Sequence, residues 1–267
     1  MKINTIIYII LVFIFASCTK VIEVDLNDAD PKIVVDAYVK SFEHDWQGQQ
    51  LYAIITMTSS IYDDTELDTI NNLNVYGIND AGKRFKLEQY TGSSEYRVFV
   101  LPDDISNNWK FETSIDGNDI SAETTIPNYV GIDSIVAAKL PFGPPKEGLT
   151  PICFFTDLPG ESNYYRLRLT VNGIHMNGLY ITRDDGFDGK QIAYPFMRIT
   201  VQKGDNIGVE LLSIDEFSLD YYKVFAQNTG GGGFSAAPGN PLSNIKGEDV
   251  IGIFTGQTSS RVWRKLE

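Results

Sequence analysis

A mainly β chain is what these 267 residues predict, folded as two β-sandwich domains of the immunoglobulin or fibronectin kind, with one short helix in the second. Three observations lead there. Apolar and polar residues alternate with a period of two along many short segments, the mark of strands buried on one face. Turn-forming clusters such as "INDAGK" and "IDGND" separate those segments. A break at "TTIPNYVGIDS", followed by the stiff "PFGPPKEG" at 141–148, divides the alternating segments into two sets.

The amino terminus reads differently. Lys2 precedes an unbroken apolar run from Ile6 to Ala16, short of the roughly 20 residues that a membrane-spanning helix needs. A cation, a short apolar core and small residues at its end make a secretion signal, here residues 1–17. Phe15-Ala16-Ser17-Cys18 resembles the lipobox of bacterial lipoproteins, in which the chain is cut before a cysteine that is then acylated. Cys18 is therefore the expected lipid attachment site. Each buried methylene contributes about 0.8 kcal/mol, so several acyl chains hold where one alone binds marginally. Residues 18–31 follow as a lipidated tether or a first edge strand, ending at Pro31.

The first sandwich is expected over residues 32–128. "KIVVDAYV" puts Ile33, Val35, Ala37 and Val39 on one face, and "LYAIITM" does so with Leu51, Ala53, Ile55 and Met57. "YRVFV" offers Tyr96, Val98 and Val100; "WKFETSI" sets Trp109, Phe111, Thr113 and Ile115 against Lys110, Glu112 and Ser114. The second domain, residues 129–267, resumes the pattern. In "YYRLRLTV", Tyr165, Leu167, Leu169 and Val171 alternate with Arg166, Arg168 and Thr170, and Asn172-Gly173 supplies the positive φ angles of a tight hairpin. "FMRITVQ" and "VELLSI" read as further strands. One helix is predicted in "SIDEFSLDYYKVFAQNTGGGG", where Ile214, Phe217, Tyr221, Val224 and Phe225 recur at helical spacing. Ser213 and Glu216 stand three apart as a capping box, and the glycine run from Gly230 ends the helix.

Composition narrows the function. With 43% hydrophobic and 12% aromatic residues the chain can bury a sizeable core. A net charge of −13 repels phosphate backbones, so nucleic acid is excluded as a partner. Once Cys18 is lipidated only Cys153 remains, and an internal disulfide cannot form. Within "TPICFFTD" that thiol reads as a small buried hydrophobe.

Gly231-x-Gly233-x-x-Ala236 has the spacing of a dinucleotide fingerprint, which needs a strand before it and a helix opening from it. Here a helix precedes it and Pro238 and Pro241 follow, so Gly230, Gly231, Gly232 and Gly233 read as a flexible connection. In "RDDGFDG", Asp184, Asp188 and Gly189 take the first, fifth and sixth places of a calcium loop. Gly186 and Pro195 hold the third and twelfth, and no metal is expected there. His44 and His175 stand far apart, too few ligands for zinc. Neither a Gly-x-Ser-x-Gly elbow nor a His-Glu-x-x-His helix is present. No cofactor and no catalysis are expected, although a carboxylate pair acting on a glycoside leaves no trace in a sequence. Asp184, Asp185 and Asp188, with the four glycines, are instead the expected contacts for a partner or ligand, because irregular exposed loops carry such roles.

Several stretches together resemble one family: the lipobox at Cys18, "KIVVDAYV", "SAETTIP", "NYYRLRL", "DDGFDG", "LDYY" and "GNPLSNIKGEDVIGIF". They are similar to the Bacteroidota outer-membrane lipoprotein family catalogued as domain of unknown function forty-two forty-nine, from Cys18 to about Phe254. In that family the last motif runs Asn-Ile-x-Gly-Gly-Leu-Gly-x-Phe; here Glu248-Asp249-Val250-Ile251 interrupts it before Gly252 and Phe254. The resemblance implies an outer-membrane lipoprotein of two β-rich domains, held to the membrane by its lipid. It also implies a TonB-dependent receptor barrel as partner, hence an accessory or cargo-binding role in nutrient uptake, with no catalytic residues to carry over. A structural or adhesive envelope module is the alternative expectation, and a carboxylate hydrolase the third. Both faces of the outer membrane, cell surface and periplasm, stay open for the folded body.

Overall fold

Strands form where the apolar alternation is most regular, because each such segment can bury one face while its backbone pairs sideways. The computed structural model describes residues 30–42, 48–59, 70–141, 148–229 and 241–267. The first half holds β1 (Ile33–Phe42), β2 (Gly48–Met57), β3 (Val75–Asn79), β4 (Arg84–Gln89), β5 (Glu95–Val100), β6 (Asn108–Ile115) and β7 (Asn118–Thr125). Next come β8 (Ile132–Ala138), β9 (Thr150–Thr156), β10 (Tyr164–Val171), β11 (Ile174–His175) and β12 (Tyr180–Arg183). The chain then forms β13 (Gln191–Pro195), β14 (Asn206–Ile214), the helix α1 (Glu216–Thr229) and β15 (Val250–Lys265). The protein is mainly β, with one α-helix among the described residues, and that helix is not long and apolar enough to cross a membrane.

Two turns follow their residue types closely. Asn172 and Gly173 take φ of 51° and 81° between β10 and β11, and Asp116 and Gly117 take 51° and 84° between β6 and β7. Both pairs supply the left-handed geometry that matches the twist of the flanking strands.

Twelve strands form one open sheet in the order β11-β10-β14-β15-β1-β2-β5-β4-β3-β6-β7, with β12 also on β10. A second sheet of three strands runs β13-β9-β8. β1 sits between β2, antiparallel, and β15, parallel, so the two ends of the described chain meet side by side. Gly252 makes that meeting possible. It pairs with Val35 at φ +137°, and a Cβ there would lie 1.9 Å from the Val35 carbonyl oxygen. Further along, a Cβ on Gly256 would come within 2.4 Å of the Thr125 carbonyl, where β15 crosses the end of β7.

Two large cores result. The first gathers Val35, Ala37, Leu51, Tyr96, Trp109, Phe111 and Phe254 from β1, β2, β5, β6 and β15. In the second, Ile135, Cys153 and Phe155 from the small sheet pack on Tyr165, Leu167, Leu169, Val209 and Leu211. A small third core lies on the opposite side of β14, where Leu212, Ile214 and Leu219 meet Tyr164 and Tyr222 beneath α1. β15 serves both large cores, through Val250 and Phe254 in the first and Val262 against the second. Residues 31–267 accordingly form one compact unit. Burial pushes the Cys153 thiol up to about 12, which suits a packing residue rather than a nucleophile.

Two expectations are corrected. "FMRITVQ" is not a strand: Pro195 closes β13, Met197 and Arg198 turn with Arg198 at φ 70°, and only Val201 makes an isolated bridge, to Leu149. Proline lacks the amide that would carry a ladder onward, while Phe196 and Val201 turn into the core. The helix cap is also not Ser213. Asp215 Oδ1 accepts the Ser218 amide at 2.7 Å, and the Leu219 amide donates to the Asp215 carbonyl at 3.1 Å. Ser213 remains in the β14 ladder between Tyr165 and Thr258, and its buried hydroxyl has no hydrogen-bond partner among the described residues.

Candidate functional site

The aspartate loop is built as a brace. The Asp184 carboxylate accepts the Asn163 amide at 3.2 Å, and that of Asp188 accepts the Gly160 amide at 2.7 Å. Between them stands Asp157, a buried residue directly after β9. Its carboxylate accepts the Tyr165 hydroxyl in a short bond and the Gly189 amide at 3.0 Å. Burial, then the bond to Asp157, raises the Tyr165 hydroxyl well above its ordinary value. One carboxylate oxygen from each of the three aspartates lies within 4.8 Å of the others. Among the described residues this is the grouping that could share a hard cation. Backbone amides and a phenol already occupy all three side chains. Asp185 is not one of the three and pairs instead with Arg183, both well exposed. The structure therefore brings Asp184 and Asp188 together, adds Asp157 and leaves Asp185 outside. Cys18, Gly230, Gly231, Gly232 and Gly233 lie outside the described residues.

The larger concavity lies elsewhere, on the sheet face turned away from both large cores. Alternation that buries Val35, Ala37 and Val39 of β1 must put Asp36, Tyr38 and Lys40 on the other side. β10 does the same with Arg166 and Arg168, β14 with Glu210, β15 with Gln257, Ser259 and Arg261, and β2 with Tyr52. The strand order brings these side chains onto one floor. α1 stands on that floor at one end, held by the third core and by the Ser218 hydroxyl, which donates to Thr255 Oγ1 at 2.6 Å. Between helix and floor opens a cleft of about 880 Å³, lined by Asp36, Tyr38, Tyr52, Arg166, Arg168, Asn177, Tyr221, Tyr222, Phe225 and Gln257.

Its groups are held by one another. Tyr38 and Tyr52 stack with centroids 5.0 Å apart and planes 20° from parallel. The Arg166 guanidinium lies 4.2 Å from the Tyr222 ring centroid, the geometry of a cation–π contact. Asp36 keeps contact with solvent although protein surrounds it. Burial raises its pKa against the pull of Arg166 and Arg168. Beside the cleft, Glu210 Oε1 accepts Lys40 at 2.9 Å, Ser259 at 2.8 Å and Arg261 at 2.9 Å, while Arg168 stands 3.6 Å from Oε2. Burial alone would raise the Glu210 pKa; Lys40 and Arg261 more than offset it and hold that carboxyl at about 2. Lys40 is lowered by burial, with Glu210 working in the opposite direction.

The outward direction of Arg166 and Arg168 was readable from the alternation of "YYRLRLTV". Their meeting with Asp36 and Tyr38 was not, because it depends on β14 and β15 lying between β10 and β1.

No curated protein matches the chain. Among solved structures, a DUF4785 family protein from Legionella pneumophila subsp. pneumophila str. Philadelphia 1 is similar at 15% identity and a TM-score of 0.26. That similarity covers 69% of this chain and 53% of the other, so this chain spans about half the length of its counterpart. At so low a score it carries no argument about fold or site. A family model described as Domain of unknown function (DUF4249) matches residues 19–262, from just after Cys18 through the cleft floor and into the last strand. The chain belongs to the DUF4249 family.

Proposed function

We propose that the chain is a lipid-anchored outer-membrane lipoprotein that serves a TonB-dependent transporter as an accessory or cargo-binding partner, and that it is not an enzyme. The cleft between α1 and the sheet floor carries the binding role, being large enough for a sizeable ligand and lined by aromatic and polar side chains together. Its charged groups pair with one another or with aromatic rings, an arrangement suited to holding a ligand rather than activating a nucleophile. Cys18 behind its apolar run supplies the anchor. Confining both partners to one membrane raises their effective concentration, so a weak interface suffices. The body is two sandwich-like lobes, one around each large core, with β15 shared between them.

Affinity purification from native membranes in mild detergent tests the partnership. A barrel receptor should enrich with the intact protein. If none does, the transport role fails and a structural or adhesive envelope module takes its place. A deletion of Gly230 to Gly233 run in parallel asks whether that run is a contact: equal enrichment leaves the partnership and removes the glycines from it. The anchor has its own measurement. Cys18→Ala should shift the protein out of the membrane fraction or leave its signal uncleaved, and mass spectrometry of the mature terminus should find acylated Cys18. An unmodified terminus elsewhere sinks the anchor.

A further inference from the structure

The charge around the cleft runs against that of the chain. The protein carries −13 overall, yet this face of the sheet gathers Lys40, Arg166, Arg168 and Arg261 around Asp36 and Glu210. Glu95, beside the Tyr52 hydroxyl at the far wall, brings the carboxylates to three against four cations. Two of those cations, Arg166 and Arg168, line the cleft itself. Each guanidinium has five N–H donors in a fixed fork, more than the ring and hydroxyl of Tyr222 take up from Arg166 or one Glu210 carboxylate oxygen at 3.6 Å takes up from Arg168. A local excess of positive charge in an acidic protein selects an anion.

We propose that this cleft binds an acidic oligosaccharide, a short run of sugars bearing carboxylates of the uronate type. The proposal rests on the cleft being the binding site of the accessory role, and needs neither the anchor nor the transporter. A carboxylate takes the fork of Arg166 or Arg168, the bidentate contact for which arginine is suited. Sugar rings have apolar faces, and Tyr38, Tyr52 and Phe225 set aromatic surface along the cleft to cover them. Their hydroxyls need planar donors and acceptors, which Asn177, Gln257 and Asp36 provide. The volume of about 880 Å³ and the open mouth suit several linked rings rather than one.

An extended peptide fits less well. Peptides that bind to sheets draw affinity from an unpaired strand edge, and this floor has none to offer. β1 is flanked by β15 and β2, and β15 by β14 and β1, so their backbone groups are already in ladders. A neutral oligosaccharide brings no charge to the local excess of cations, so it gains only hydrogen bonds and ring contacts and binds more weakly.

Calorimetric titration of the detergent-solubilised full-length protein with trigalacturonate, galactotriose and triglutamate decides between them. Trigalacturonate should bind at least about tenfold more tightly than either of the others, and less tightly as salt is raised. Arg166→Gln and Arg168→Gln should each weaken it about tenfold, with thermal melts confirming that the variants are folded. Asp36→Asn removes a like charge while keeping a polar acceptor, so it should tighten binding about threefold, a gain that a misfolded variant cannot mimic. Galactotriose or triglutamate binding as well as trigalacturonate overturns the proposal. So does the absence of heat with trigalacturonate, or affinity indifferent to all three substitutions. If a barrel receptor co-purifies while trigalacturonate fails to bind, the accessory role stands and the ligand class falls. If trigalacturonate binds and no receptor enriches, the ligand class stands alone.

Discussion

Glu210 and Asp157 are both buried carboxylates beside β10, and they are satisfied in opposite ways. Glu210 lies in the middle of a strand and is met by side chains: Lys40, Arg261 and Ser259, with Arg168 nearby. Asp157 lies just past the end of β9 and is met by the Gly189 amide and the Tyr165 hydroxyl. The backbone explains the difference. In mid-sheet every amide already belongs to a ladder, so a buried carboxylate there must recruit charged side chains from neighbouring strands. At a strand end the loops bring unpaired amides, and neutral hydrogen bonds suffice. The first solution leaves positive charge on the sheet face. The second leaves none.

Removing each acid should separate the two most sharply. Glu210→Ala strands Lys40, whose side chain is only 3% exposed, and should destabilise the fold by about 3–5 kcal/mol in urea denaturation. Asp157→Ala leaves a phenol and an amide without an acceptor, at a cost of about 1–3 kcal/mol. Equal losses would break the comparison. Acid should separate them as well. The Glu210 pKa falls from 4.5 unfolded to about 2 folded, so its contribution is fully present above about 4.5 and disappears as the pH drops through 2. Denaturation midpoints of the wild type should fall across that window, and those of Glu210→Gln should fall less.

The same contrast explains what was legible beforehand. Alternation carries information along one strand, so it placed Val35, Leu51, Trp109 and Leu167 in cores and, by subtraction, Arg166 and Arg168 outside. Asn172-Gly173 was legible because its turn needs nothing beyond its own two residues. The cleft was not, since Asp36 and Arg166 meet only through the strand order. Dense local motifs show only part of their own arrangement, for the complementary reason. "DDGFDG" concentrates acids that the fold uses as loop acceptors, and its third partner, Asp157, lies in a segment that reads as a plain strand end. Ser213 and Glu216 had the right spacing for a cap, but pairing with β10 and β15 kept Ser213 in the strand.

That displaced cap supplies a smaller test of the strand-end rule. Asp215, past the end of β14, should lose about 1 kcal/mol when replaced by alanine, because it caps the Ser218 amide. Ser213, still within the ladder, holds a buried hydroxyl with no partner among the described residues. Ser213→Ala should therefore be neutral or slightly stabilising, by less than about 1 kcal/mol. Chemical denaturation of the two variants side by side reads both effects. A larger loss at Ser213 than at Asp215 would place the cap on the serine after all.

The smallest effect is expected at the aspartate loop. A cation bound only to the folded state would raise its melting temperature, and a chelator would lower it again. Asp157, Asp184 and Asp188 bring three carboxylate oxygens within 4.8 Å, which by itself invites a divalent ion. Each carboxylate nevertheless accepts a backbone amide, at 3.0, 3.2 and 2.7 Å respectively. Those bonds offset part of the mutual repulsion that a cation would otherwise relieve. They also fix the oxygens toward Gly189, Asn163 and Gly160, leaving calcium short of the six to eight ligands it prefers. Scanning calorimetry in millimolar calcium and in excess chelator should give the same melting temperature. A drop in chelator that Asp184→Ala and Asp188→Ala both abolish would turn this brace into a metal site. The contrast with Glu210 would then be between two charged solutions rather than between a charged and a neutral one.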